Sequence, residues 1–136
     1  MAEPVRTFDP SKCQITVGGA PLSGYASGTF VSIDQDDDSF TAKVGCDGEV
    51  ARAKRPGRTA TMKVTLMATS LSNVTMSGLA KSGVVFPVLV KEGGSIVFSS
   101  EAWIQKPAAF ERGEDVSDTE WTIRLATSSL THGGNP

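Results

Sequence analysis

Residues 61–67 read TMKVTLM, and this short stretch decides the fold class. Met62, Val64 and Leu66 alternate with Thr61, Lys63 and Thr65. An extended chain therefore puts the apolar three on one face and the polar three on the other, whereas a helix would scatter both sets. The period returns at 120–126, EWTIRLA, where Trp121, Ile123 and Leu125 oppose Thr122 and Arg124. Strands of this kind hide their apolar face only by sharing a core with others.

Further candidates lie on either side: CQITV, GTFVSI, FPVLV and SIVFSSEAWI, all rich in β-branched and aromatic residues. Turn-forming clusters separate them, GGAPLSG at 18–24, DQDDDS at 34–39, CDG at 46–48, RPG at 55–57 and EGG at 92–94. One segment departs from the rhythm. Over 70–82, Leu71, Val74 and Leu79 have helical spacing, serine and asparagine can cap the start, and Gly83 follows Lys81 at the end. The pattern predicts an all-β sandwich or small barrel of seven or eight strands, with one short helix covering a sheet.

The chain has 136 residues, of which 39% are hydrophobic and 21% charged, enough for one core without disulfides or metals. A single domain over 1–136 is expected, with 1–7 as an N-terminal arm and 127–136 as a flexible C-terminal tail. No apolar run reaches membrane-spanning length, and MAEPVRTFDP has no signal-type apolar stretch. No membrane insertion and folding in a cytoplasm are the expectation. Cys13 and Cys46 then read as two buried free thiols. The Asn73-Val74-Thr75 sequon reads as a chance match.

Catalytic chemistry finds no foothold. His132 is the only histidine and lies in a Gly-rich stretch that would not hold its ring in place. Asp34, Asp36 and Asp38 have the opening spacing of a calcium loop, but Ser39 stands where glycine is needed and Gly45 where glutamate is needed. That block reads instead as a solvated run protecting a sheet edge. Phosphate-binding glycine motifs are missing. The chain is read as no enzyme, with no cofactor and no metal.

The net charge of −2 conceals polarity. Arg52, Lys54, Arg55, Arg58 and Lys63 follow the acidic block, and Glu111, Glu114, Asp115, Asp118 and Glu120 cluster near the other end. A basic hairpin without aromatics between 45 and 69 makes a poor reader of nucleic acid. Cationic and acidic surfaces on one molecule instead suit a heterologous, head-to-tail contact between copies.

The ordered series FDPSKCQITVGGAPLSGYASGTFVSI, VGCDGEVARAKRPGRTATMKVTLMATSLSN, FPVLVKEGGSIVFSSEAWIQKPA and VSDTEWTIRLA resembles tail tube proteins of contractile-tailed bacteriophages, over about residues 7–126. The resemblance implies a structural subunit of stacked hexameric rings, whose inner strands close into one barrel around a lumen. Genomic DNA passes through that lumen without specific binding. Sheath and tube-end proteins are the implied partners, the virion tail is the implied location, and assembly is implied in the host bacterial cytoplasm. Tube proteins of type VI secretion systems share the architecture.

In that family a long hairpin loop reaches the next ring. It is placed here at 45–61, with a basic tip of Arg52, Lys54, Arg55 and Arg58 docking on Glu111, Glu114, Asp115 and Asp118. Thr61, Lys63 and Thr65 are the lumen-facing candidates, Lys63 being the misfit. The alternatives are a tail terminator, another tail or injection-system component, or a non-viral β-sandwich binding module. The last would expose an aromatic platform, whereas Trp103 and Trp121 read as core.

Overall fold

The computed structural model describes Val5 and residues 7–133. In chain order the elements are β1 Gln14–Val17, β2 Ala20–Pro21, β3 Val31–Gln35, β4 Phe40–Val44, β5 Val50–Lys54 and β6 Ala60–Met67. There follow α1 Ser72–Ser82, β7 Phe86–Glu92, β8 Ser95–Lys106, β9 Asp118–Leu125 and β10 Ser129–Thr131. Eight strands form one antiparallel sheet in the order β2-β1-β7-β8-β9-β6-β3, with β10 added against β8. β4 and β5 pair only with each other.

Alternation explains the core. Met62, Val64 and Leu66 of β6 and Trp121, Ile123 and Leu125 of β9 are all buried. The register sets Met62 beside Ile123 and Val64 beside Trp121. Each such side chain contributes about 1.5–3 kcal/mol when removed from water. Ile15 and Val17 of β1 and Val31 and Ile33 of β3 come from opposite reaches of the sheet, yet pack on the same cluster. The sheet must curl to allow this, and irregularities at Phe86/Val88 and Ile104/Lys106 help bend it. The result is a single eight-stranded sheet wrapped around one core, within the sandwich or small-barrel class that the sequence predicts.

The helix is tied down by serines. Ser70 Oγ accepts from the Ser72 N–H and donates to Ser23 O, while Ser72 Oγ accepts from the Ser23 N–H. Gly83 ends the helix in the left-handed conformation, φ 66°, its N–H bonded to Leu79 O. The helical spacing finds the inward face only in part, since Leu79 packs against the core. Leu71 and Val74 are exposed, and Met76 and Ser72 point inward. A helix with glycine, serine and threonine on several sides leaves its orientation to tertiary contacts.

Other expectations shift as well. Trp103 is 37% exposed, because Ala102 takes the inward position and Trp103 stands opposite Arg124 on the outer face. Cys13 is buried but Cys46 is exposed in the β4–β5 turn. Residues 129–131 are a strand rather than a loose tail, held by Leu130↔Val97 pairing. The remainder of the expected arms, residues 1–4 and 6 and residues 134–136, lies outside the described residues.

Candidate assembly surface

The projecting hairpin spans 40–54, earlier in the chain than 45–61. Its strands pair Phe40↔Lys54 through Ala42↔Arg52 to Val44↔Val50. The turn is closed by the Gly45 N–H to Glu49 O at 2.7 Å, and Gly48 sits at φ 89°, a conformation that favours glycine. The tip therefore holds Cys46, Asp47 and Glu49. The basic residues are not there. Arg52 and Lys54 lie on the returning strand, and Arg55 and Arg58 lie in the link to β6.

Register also fixes what the cations stand beside. Directly paired residues of an antiparallel ribbon point to the same side. Phe40, Ala42, Val44, Val50, Arg52 and Lys54 thus form one face, and Thr41, Lys43, Ala51 and Ala53 the other. The Arg52 guanidinium lies 4.2 Å over the Phe40 ring, a cation–π contact that holds it along the ribbon. Arg58 is turned back, donating to Arg55 O and Gly57 O. Its backbone carbonyl accepts from Ser128 N–H and Oγ. Arg58 is thus a brace at the hairpin root. Sequence reading missed Phe40, Val44 and Val50, although the alternation FTAKV followed by VARAK carries the signal.

The acidic residues occupy the opposite end of the molecule. The hairpin leaves the sheet beside Gln35 and Ala60, while Asp118 pairs with Met67 at the far end of β6. At ~3.3 Å per residue this eight-residue strand separates the two ends by about 23 Å. Glu111, Glu114 and Asp115 are exposed in the 107–117 connection beyond β8, and Asp118 and Glu120 are exposed on β9. Among the described residues none of these acids pairs with a cation of the hairpin. The ion pair that does form joins Arg124 to Asp36, at 3.0 Å. Asp36 also accepts from Thr61 Oγ1 at 2.9 Å, so its carboxylate fastens the hairpin root to β6 and β9 and is not free to chelate.

Thr61, Lys63 and Thr65 share the outer face of β6. Their partners across the sheet are Asp34 and Arg124, Ser32 and Thr122, and Glu120. Three acids, counting Asp36, stand against Lys63 and Arg124. The face is rich in hydroxyls and close to electrically neutral.

An apolar recess of about 440 Å³ marks where the roll stays open. Val31 and Ile33 line one side, with Val90, Val97, Leu130 and the buried Cys13 on the other. Burial and the nearby Glu92 push the Cys13 thiol pKa up. His132 is exposed at the rim. No group of three or more metal-ligating side chains gathers among the described residues.

No protein-family model matches the chain. It is similar to Structural protein ORF10 of Pseudomonas phage KPP10, 27% identical over 99% of this chain and 87% of that protein. Two solved structures share its fold at low sequence identity. The tube-terminating cap of the anti-feeding prophage is 7% identical, with a TM-score of 0.67 over 98% of this chain and 96% of the cap. A chain of the PVC sheath–tube complex, an extracellular contractile injection system in its extended state, is 9% identical. It gives a TM-score of 0.62 over 92% of this chain and 91% of that one.

Proposed function

We propose that this chain is a structural, non-enzymatic component of a phage-type tail, and within it the subunit of the tail tube. Copies form rings, six to a ring, that stack head to tail into a hollow conduit for the genome. The tube lies inside a contractile sheath in the virion, after assembly in the host cytoplasm. Similarity to a phage structural protein over nearly the whole chain supports the coarse reading. The placement of charge supports the finer one: a hairpin whose returning strand carries Arg52 and Lys54 at one end and a carboxylate cluster about 23 Å away at the other. Complementary surfaces at opposite poles cannot satisfy each other within one molecule, and a heterologous contact repeats without limit.

The β6 outer face suits the lumen. A near-neutral wall of threonines offers DNA few cations to grip, so the genome can slide.

Purified protein viewed by negative-stain electron microscopy tests the assignment. Hollow tubes of stacked rings are expected. Arg52→Glu with Lys54→Glu should abolish stacking while circular dichroism stays unchanged; tubes forming as before would remove the hairpin from the contact. A tail-terminator reading is favoured by the fold shared with the prophage cap. It predicts single rings that do not elongate at any protein concentration.

A further inference from the structure

The charges do not account for the apolar side of the hairpin. Val44 and Val50 face each other next to the turn, 65% and 69% exposed, on the same side as the partly exposed Phe40. Neither strand pairs with the main sheet. A free two-stranded ribbon is marginally stable in water, so a valine pair on its bare side asks for a cover.

Exposed apolar side chains also stand at the other pole. In the 107–117 connection Phe110 is 83% exposed and Val116 is 63% exposed. Glu111, Glu114, Asp115 and Asp118 surround them in the chain, with Arg112 placed 4.3 Å over one face of the Phe110 ring. An apolar centre with a charged rim is how protein–protein contacts are built. The rims are opposite in sign: Arg52 and Lys54 on the valine side of the hairpin, carboxylates on the connection. The tip's Asp47 and Glu49 have Arg112 as their counterpart.

We infer that the hairpin of one copy docks on the next through an apolar centre, Val44 and Val50 against Phe110 and Val116, with the ion pairs as its rim. The inference rests on the head-to-tail reading above and names what holds that contact. Apolar burial supplies the affinity, and charge supplies register and encounter rate. A five-residue ribbon is about 15 Å long, so its valine pair stands well clear of the hairpin root.

The variant Val44→Thr with Val50→Thr keeps β-branched shape and strand propensity while removing two methyl groups from the contact. Phe110→Ser with Val116→Ser alters the receiving side alone. Sedimentation velocity should show each variant stacking at least roughly tenfold more weakly than the wild-type chain. Mixed together, they should form a complex limited to one contact, because one retains an intact receiver and the other an intact hairpin. Wild-type stacks should survive salt that screens exposed ion pairs. Ala51→Ser with Ala53→Ser, on the opposite hairpin face, should stack as the wild type does.

If the wild type stacks and the valine variant stacks equally well, the apolar centre is wrong. It is equally wrong if raised salt alone disperses the wild-type stacks. If the wild type never self-associates, the head-to-tail reading falls and this inference with it.

Discussion

Asn73 shows how much one side chain can carry. Its Oδ1 accepts from Trp121 Nε1 at 2.9 Å, and its Nδ2 donates to Met67 O at 3.0 Å. It joins the helix start to the end of β6 and to β9, and its amide nitrogen is engaged in the bond to Met67. The sequon is therefore a structural asparagine. Asn73→Ala leaves a buried indole N–H without a partner, so about 1–3 kcal/mol of stability should be lost. Chemical denaturation monitored by tryptophan fluorescence measures it directly. An unchanged midpoint would mean that water satisfies the indole.

Elements differ in how strongly the core dictates them. β6 and β9 are fixed by burial on one face, and their alternation is legible because water and core sort the side chains. The β4–β5 ribbon has no such sorting. Alanine and threonine alternate with valine, lysine and arginine, and every residue of β5 is exposed. Its strands read as loop for that reason, and its cations read as a tip that in fact bears Asp47 and Glu49. Replacing 40–54 by a short turn should leave the melting temperature of the body within a few degrees, since no sheet pairing is lost. The same variant should not form tubes. A collapse of the body would show that the ribbon is part of the folding unit.

At the scale of the whole molecule, the proposed function rests on polarity. The hairpin and the carboxylate cluster lie at opposite ends of β6, and the hydroxyl-rich face lies along its outer side. That face offers a test of the conduit. Thr65→Lys with Thr122→Lys adds two cations per subunit to the proposed bore, repeated around every ring. Tubes should still assemble, because neither residue belongs to the hairpin or its receiver. They should retain DNA in a salt-dependent manner that wild-type tubes lack. Equal DNA retention by both would move the lumen to another face.

The sequence by itself determined the β class, the strands with one wet side, the helix and its glycine stop, and the separation of charge along the chain. Each of these is local: a period, a cap or a run, readable wherever burial imposes a pattern. Only the tertiary structure decided which strands are neighbours, that a single sheet wraps around the core, and that Trp103 turns outward. It alone put Phe40 beneath Arg52 and set the hairpin and the 107–117 carboxylates at opposite ends of β6. Those facts depend on register and curvature, which arise from contacts between residues far apart in the chain and leave no periodic trace in any single segment.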